Sequence, residues 1–290
     1  MTASGLVPNH LILATDLSAR CDRARDRAVM LARRWNGRLT VVHALDVLDV
    51  PNDQPSRPTL AGALVRAERL LRADFADVKD IAVDFKVGKG RPGDFVLDVA
   101  TTKDCGLIVT GIAGNEPLGQ SLLGSTVTAI TRHAAIPVLV AKKRPTGPYR
   151  HVVMASDLSE ASRPALELAL ALFKEEEIIL FHGFDMPFGT WVSDPEEYRE
   201  TCRREAVEKA EAFLAENDDN RNCSIRIVVV DGDPAPRLAD YVAENQADLI
   251  VAGKHGRSGI IQALLGSVVS AILDEVPCDV LIVPNEGRVA

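Results

Sequence analysis

The sequence predicts an α/β protein made of two tandem, doubly wound domains, each with a five-stranded parallel sheet and four helices. The first observation behind this prediction is an internal repeat. The second is a regular alternation of short apolar runs with helical patterns, which favours right-handed strand–helix–strand units. The third is that most apolar runs, such as LIVT (107–110) and LIVA (249–252), are uninterrupted. Such strands are typical of a parallel sheet covered by helices on both faces.

Two segments of the chain recur at a nearly constant distance. HLILATDLS returns as HVVMASDLS, so that Asp157 lies 141 residues after Asp16. LIVTGIAGNEPLGQSLLGSTVTAI returns as LIVAGKHGRSGIIQALLGSVVSAI, so that Gly253 lies 142 residues after Gly111. Chance similarity does not extend through glycines, apolar positions and spacing together, so we interpret the repeat as a duplicated domain.

The repeat also predicts the domain boundaries. A first domain is expected over residues 1–141 and a second over residues 151–290. The segment between them, 142–150, reads KKRPTGPYR and contains two prolines, a glycine and four basic residues. This composition is typical of a surface linker.

In the first repeat, strands alternate with helical patterns. The helix predicted over 18–35 has Ser18 as its expected N-cap, with Ala24, Ala28 and Leu31 on one face. The other predicted helices lie within 60–77, near 93–104, and from 125 onward. The predicted strands are 10–15, 39–45, 81–87, 107–110 and 137–141.

The second repeat has the same order of elements. Its predicted strands are 151–156, 178–183, 225–230, 249–252 and 278–283. Its predicted helices are 159–173, 196–217, 234–245 and 267–273.

Composition and charge exclude several classes of protein. Apolar residues make up 47% of the chain and charged residues 26%, which excludes global disorder. The net charge of −8 argues against a nucleic-acid-binding surface. No apolar run approaches the ~20 residues of a membrane span. The five scattered cysteines predict reduced thiols and a cytoplasmic protein.

The glycines after the fourth strand of each repeat predict an anion site. Two glycines three positions apart are followed, after nine intervening residues, by a Gly-Ser pair at the start of a helix. Glycines at a strand end let the backbone approach a ligand, and a helix start offers unpaired N–H groups and a positive dipole end. Together they suit a phosphate. Asp16 and Asp157 end the first strands and are expected at the same crevice.

Other chemistries find no support in the sequence. There is no G-x4-G-K-[ST] loop, no G-x-S-x-G elbow, no HExxH and no CxxC. The G-x-G-x-x-G fingerprint is missing after the first strand, which disfavours NAD. We therefore assign no catalytic and no metal-binding residue.

With its duplicated glycine pattern the sequence resembles the universal stress protein family, in the tandem form with two domains in one chain. The resemblance covers residues 9–141 and 150–284. ATP-binding members of that family carry G-x2-G-x9-G-[ST] after the fourth strand, an Asp ending the first strand and a His near the end of the second. His43 and His182 match this histidine. The resemblance implies a HUP-like fold with strand order 3-2-1-4-5.

The resemblance also implies which residues surround a bound ATP, with or without Mg²⁺. In the first repeat they are Ala14, Thr15, Asp16, Ala44, Gly111, Gly114, Gly124, Ser125 and Thr126. In the second repeat they are Ala155, Ser156, Asp157, Gly183, Gly253, Gly256, Gly266, Ser267 and Val268. His255 and Arg257 join this list because they are basic residues of the same loop, expected near the phosphates. Of these, Ala44 and Gly183 would border adenine, and the serines would contact phosphate.

The two repeats differ in charge near the expected phosphates. Residues 112–123 carry a net charge of −1 and residues 254–265 carry +2, so a triphosphate should prefer the second repeat. Against this, the first repeat has Lys86, Lys89 and Arg91 after its third strand. Which repeat binds nucleotide therefore stays open, as does ATP against ADP or AMP.

Three functions compete at this stage. The first is a stress-response module that binds an adenine nucleotide and acts as a sensor or regulator without evident turnover. The second is a weak Mg²⁺-dependent ATPase in which Asp16 or Asp157 holds the metal. The third is an interaction protein whose glycine pattern is vestigial. The resemblance also implies pairing of the two domains within the chain through their fifth strands, and allows a homodimer; the protein partner is unknown.

Overall fold

The fold is described from a computed structural model, which gives two compact units, the first ending at Pro148 and the second beginning at Tyr149. The structure describes residues 6–46, 59–103, 105–112, 123–186, 194–216, 223–256 and 265–285. Each unit is a parallel sheet wrapped by helices, so the predicted fold class is confirmed.

Unit 1 alternates strands and helices along the chain. Its strands are β1 (His10–Ala14), β2 (Arg38–Leu45), β3 (Val83–Lys89), β4 (Leu107–Thr110) and β5 (Val138–Val140). Its helices are α1 (Asp22–Arg34), α2 (Leu60–Asp74), α3 (Pro92–Thr102) and α4 (Ser125–His133). The strand order is β3-β2-β1-β4-β5, and neighbouring strands pair in parallel.

Unit 2 repeats this architecture. Its strands are β6 (Val152–Ala155), β7 (Ile178–Phe184), β8 (Ile225–Asp231), β9 (Leu249–Gly253) and β10 (Asp279–Val283). Its helices are α5 (Arg163–Leu172), α6 (Pro195–Ala215), α7 (Pro234–Asn245) and α8 (Ser267–Glu275). The order is β8-β7-β6-β9-β10, again with parallel pairs, as predicted.

The core of each unit is the central part of its sheet. Every residue of β1, β4 and β10 is buried, and β2 is buried from Leu39 to His43. Burying strands on both faces removes large apolar areas from water, at roughly 25 cal/mol per Å². No helix among the described residues is both long and apolar enough to cross a membrane.

The first helix of each unit begins later than the sequence predicted. A single 3-10 turn (Ala19–Cys21) precedes α1, and the Ser18 side chain forms no capping hydrogen bond, so its predicted role as helix N-cap is wrong. Unit 2 likewise has a 3-10 turn (Glu160–Ser162) before α5. In each unit a tight turn directly before the 3-10 turn includes a serine whose backbone N–H donates to the aspartate two residues earlier, so the helix can begin only after the turn.

In both units the order in which strands are added to the sheet changes direction between the first and fourth strands. β1 leads outward to β2 and β3, whereas β4 leads to β5 on the other side, and the same holds for β6 and β9. Parallel sheets of this kind bind ligands in the crevice beyond the carboxyl ends of these two strands.

Candidate functional site

Each unit has a cleft at the carboxyl ends of its first and fourth strands. The unit 1 cleft has a volume of about 110 Å³ and is lined by Ala14 and Thr110, which end β1 and β4, and by Thr15 and Gly111, which follow them. The unit 2 cleft is larger, about 280 Å³, between the ends of β6 and β9. The crevice expected from the strand order is therefore present twice.

A strained turn directly follows the first strand of each unit. Leu17 has a φ of +63° and Leu158 a φ of +57°, a left-handed conformation that costs a bulky residue about 1 kcal/mol or more. The Leu17 N–H donates to the Thr15 hydroxyl at 3.1 Å, and the Leu158 N–H donates to the Ser156 hydroxyl at 3.0 Å. This turn aims the preceding aspartate into the cleft.

The carboxylate of each aspartate is fixed by several donors. Asp157 Oδ1 accepts hydrogen bonds from the Ser159 N–H (3.1 Å), the Ser159 hydroxyl (2.6 Å) and the Ser162 hydroxyl (2.8 Å). Its other oxygen, Oδ2, lies next to Gly256, where an added Cβ would be only 2.6 Å away. The turn thus presents an oriented acceptor at the cleft wall.

In unit 1 the equivalent acid is Asp16. Its Oδ1 accepts from the Ser18 N–H at 2.8 Å and from the Cys21 thiol at 3.1 Å. Burial works to raise the pKa of Asp16, but hydrogen bonds from Ser18 and Cys21 outweigh it and leave the pKa below its ordinary value. Burial and the neighbouring carboxylate raise the pKa of the Cys21 thiol to about 11. Asp16 is therefore a charged acceptor, and Cys21 a protonated donor, at neutral pH.

A histidine near the end of the second strand fastens each strand end. His43 Nδ1 donates to the Thr15 carbonyl at 2.9 Å, and His182 Nδ1 donates to the Ser156 carbonyl at 2.8 Å. A carbonyl oxygen only accepts, so the proton is on Nδ1 in both rings. Both matched histidines therefore have a positioning role, and His182 also lines its cleft.

The second strand and the helix that follows the third strand form one side of each cleft. Gly90 and Gly232 have φ values of +128° and +104°, so the turns into α3 and α7 require glycine. These turns lay the helix starts over the second strand, and Pro92 in unit 1 and Pro234 in unit 2 line the clefts. A Cβ on Gly183 would lie 3.1 Å from the Gly232 carbonyl oxygen, which shows how close this approach is.

The helix that follows the fourth strand begins at the cleft. Gly124 and Gly266 are the N-caps of α4 and α8, and a glycine has no side chain with which to cap the helix. Thr126 and Ser125 line one cleft, Ser267 and Val268 the other. A helix start of this kind presents N–H groups and a positive dipole end, which together attract an anion.

Unit 2 carries a buried cation and a histidine beside its cleft. Lys254 is buried, and burial lowers its pKa. Burial and the nearby Lys254 charge also lower the pKa of His255, so this ring is neutral at pH 7. The His255 backbone is held by Asn285, and the ring lines the cleft.

All of the described residues that the sequence predicted for the site line one of the two clefts. They are Ala14, Thr15, Asp16, Ala44, Gly111, Gly124, Ser125 and Thr126 in unit 1, and Ala155, Ser156, Asp157, Gly183, Gly253, His255, Gly256, Gly266, Ser267 and Val268 in unit 2. Gly114 and Arg257 lie outside the described residues. Contact with a nucleotide remains a prediction for all of them.

The sequence left open where Lys86, Lys89 and Arg91 lie relative to the phosphates. Lys86 and Lys89 lie within β3 rather than after it. Lys86, Lys89 and Arg91 are exposed and are not among the described lining residues of the unit 1 cleft, so they do not compensate its charge from within. Instead Arg20, on the 3-10 turn before α1, lines that cleft. In unit 2 the residue 141 positions later is Ala161.

Some lining residues were missed by the sequence analysis. In unit 1 they are Arg20, Cys21, Val42, Pro92, Val96, Thr110 and Val127, and in unit 2 Ser162, Phe181, His182, Pro234, Leu238, Ala252, Val269 and Ile272. Pro92 and Pro234 are equivalent in the repeat, as are Cys21 and Ser162. The repeated proline was the signal that could have found Pro92 and Pro234. Within the described residues, no group of three or more His, Cys, Asp or Glu side chains is placed to hold a metal ion.

Comparisons with known proteins agree with this geometry. A sequence model described as the universal stress protein family matches residues 9–142 and again 148–284. A universal stress protein from Mycolicibacterium smegmatis is 26% identical over 295 residues, covering 94% of this chain and 96% of that protein.

Two further matches differ in extent. A universal stress protein from Mycobacterium tuberculosis is 29% identical over 201 residues; the match covers 65% of this chain and 62%, less than two thirds, of that protein. The crystal structure of a universal stress protein from Archaeoglobus fulgidus superposes with a TM-score of 0.69 at 17% identity, covering 98% of both chains. At this identity the structural match speaks for the fold alone.

Proposed function

The chain belongs to the universal stress protein family, and from this premise we propose that each unit binds an adenine nucleotide, ATP, in the cleft at the carboxyl ends of its first and fourth strands. One observation carries the proposal. Residues that are far apart in sequence, from the first strand, the fourth strand and the following helix, line one cleft, and they do so in both units.

The chemistry of each cleft suits the parts of a nucleotide. The starts of α4 and α8 suit the phosphates, because they combine backbone N–H groups with a serine hydroxyl and a positive dipole end behind a glycine N-cap. The carboxylates of Asp16 and Asp157 suit hydroxyl or amino donors of the nucleoside, since each is fixed by its turn. Magnesium would arrive with the triphosphate, whose oxygens, together with water, would supply most of its ligands.

Binding rather than hydrolysis is the better-supported activity. Hydrogen bonds leave the pKa of Asp16 below its ordinary value, and such a carboxylate is a weak base for activating water. Asp157 has three donors on one oxygen. We therefore propose that the nucleotide is a reporter ligand, and that occupancy of the clefts provides the signal in a stress response.

The proposal is tested by titrating the full chain with Mg²⁺–ATP. Calorimetry gives the number of sites, and hydrogen exchange of residues 123–133 and 265–275 assigns each site to a unit. Gly124→Val and Gly266→Val place a β-branched side chain at the helix starts; at Gly266 even a Cβ would lie 3.3 Å from the Lys254 carbonyl oxygen.

We expect two sites in the unaltered chain, one in each single variant and none in the double variant. Phosphate release measured in the same samples should stay near the buffer rate. If ATP slowed hydrogen exchange at neither helix start, or if the stoichiometry were unchanged in both single variants, nucleotide binding at these positions would be refuted. Rapid phosphate release would instead favour the ATPase.

A further inference from the structure

We propose that Asn285 is a positioning residue of the unit 2 cleft: its side-chain amide clamps the His255 backbone and thereby fixes segment 253–256 against Asp157. The inference rests on the proposed nucleotide binding and adds a residue that lies after the last strand, outside the glycine pattern. It gives unit 2 a device for pre-organising its site, at a position where unit 1 has Lys143.

The clamp consists of two reciprocal hydrogen bonds. Asn285 Nδ2 donates to the His255 carbonyl at 3.0 Å, and the His255 N–H donates to Asn285 Oδ1 at 3.0 Å. Both polar groups of one residue's backbone are thus satisfied by a single side chain. Only a primary amide offers a donor and an acceptor in the required fork, since carboxylates lack the donor and ammonium groups lack the acceptor.

The clamped residue is connected to the functional aspartate. Gly256 follows His255 directly, and its position is so close to Asp157 that a Cβ there would lie 2.6 Å from Oδ2. A shift of His255 therefore changes the distance between the segment and Asp157. The His255 ring lines the same cleft, so its position also depends on this backbone.

Two other elements hold the beginning of the same segment. The Lys254 N–H donates to the Val283 carbonyl at 2.7 Å, and the Gly266 N–H donates to the Lys254 carbonyl at 3.2 Å. Residue 254 is thus fixed by β10 and by the start of α8, whereas residue 255 is fixed by Asn285. The clamp therefore fixes one further residue, His255, on the side of Lys254 that leads to Gly256 and the cleft.

Unit 1 provides an internal comparison. The Gly124 N–H donates to the Ile112 carbonyl at 3.0 Å, which repeats the bond between Gly266 and Lys254. The residue 142 positions before Asn285 is Lys143. A lysine ammonium has donors only, so it cannot form the reciprocal pair. The reciprocal pair formed by Asn285 therefore has no counterpart from Lys143.

The test uses the full chain with Asn285→Ala, Asn285→Gln and, as a matched control at the equivalent position, Lys143→Ala. Mg²⁺–ATP is titrated while hydrogen exchange is followed separately at residues 249–256 and 107–112. We expect Asn285→Ala to raise the dissociation constant of unit 2 about tenfold, because two hydrogen bonds are lost, and to leave that of unit 1 unchanged. Asn285→Gln should restore part of the affinity, and Lys143→Ala should not affect unit 2.

The inference is overturned if the unit 2 dissociation constant of Asn285→Ala stays within twofold of the unaltered chain, or if both units weaken equally. Hydrogen exchange without nucleotide gives an independent readout. Faster exchange confined to residues 254–256 in Asn285→Ala supports the clamp, and unchanged exchange there contradicts it. If the unaltered chain bound no nucleotide, the proposed function would fail, while this second readout would still decide about the clamp.

Discussion

The two clefts share one scaffold but differ in the side chains that line them. In both units a strained turn presents an aspartate, and a helix start with a glycine N-cap lines the same cleft. Unit 1 adds Arg20 and Cys21 to its wall, whereas unit 2 has Ala161 and Ser162 at the equivalent positions and encloses about 280 Å³ rather than about 110 Å³. Duplication has thus kept the backbone of the site, while single positions set its charge and size.

The comparison also shows how differently the two units fix the segment after the fourth strand. In unit 2, Asn285 clamps His255, and the following Gly256 lies against Asp157. Unit 1 has Lys143 at the position of Asn285. We therefore expect the unit 2 site to be the more rigid of the two, and to respond more strongly to changes in this segment.

The largest effect is expected from Gly256→Ala. The new Cβ would lie 2.6 Å from Asp157 Oδ2, and three hydrogen bonds on Oδ1 prevent the carboxylate from turning away. We expect the ATP affinity of unit 2 to fall about thirtyfold, which corresponds to ~2 kcal/mol of lost interactions, with unit 1 unchanged. Calorimetry with site assignment by hydrogen exchange measures both; a unit 2 loss below threefold would show that the contact does not matter.

The second effect concerns a histidine at the amino-terminal end of the first strand in each unit, the end away from the cleft. His10 is buried, and its Nε2 lies 2.8 Å from the Thr40 hydroxyl, whereas the equivalent His151 is exposed. Burial, with the Arg38 charge, lowers the pKa of His10 below 6.5. The unfolded chain therefore takes up a proton first as the pH falls below about 6.5, and stability is lost from there down to the folded-state pKa.

The expected slope is at most about 1.4 kcal/mol per pH unit for one proton. Urea unfolding between pH 7.5 and 5 measures it. His10→Gln should lower stability at pH 7.5 but flatten the pH dependence, while the control His151→Gln should leave the slope as it is. An identical slope in His10→Gln and the unaltered chain would show that His10 does not report on pH.

An exchange of side chains between the clefts should have a smaller effect. Cys21 donates to Asp16 through sulfur at 3.1 Å, and Ser162 donates to Asp157 through oxygen at 2.8 Å. A hydroxyl is the stronger donor to a carboxylate. Cys21→Ser should therefore tighten unit 1 about threefold, and Ser162→Cys should weaken unit 2 by a similar factor. Equal shifts of both units in either variant would contradict a local effect.

The smallest effect is expected from Arg20→Ala. Arg20 is exposed at the rim of the unit 1 cleft, so its attraction for phosphate is screened by solvent and salt. We expect about a twofold loss of ATP affinity at low salt that disappears near 1 M salt, and the opposite change in unit 2 for Ala161→Arg. A loss that does not depend on salt would mean that Arg20 acts through packing instead.

Much of the fold and part of the site could be predicted from the sequence because the chain contains two copies of the same pattern, which can be compared with each other. The duplicated glycines and helix starts at Gly124 and Gly266 were predictable, since the spacing survives in both repeats. Arg20 and Cys21 were not, because the segment reads as the beginning of a helix, whereas a 3-10 turn directs them to the cleft.

Other features depend on contacts that no local pattern contains. Asn285 meets His255 across 30 residues of sequence, and neither lies in a periodic segment. The burial of His10, the first residue of β1, likewise follows from its contacts with Thr40 and Lys103 and not from its neighbours in sequence. Such long-range pairs appear only once the strands are in register.

The most direct test of the central claim is a crystal structure of the full chain grown with Mg²⁺–ATP. We predict electron density for the phosphates at the starts of α4 and α8, beside Ser125 and Ser267, and for the base toward Ala44 and Gly183. Empty clefts at saturating nucleotide, or nucleotide bound only elsewhere on the surface, would contradict the account.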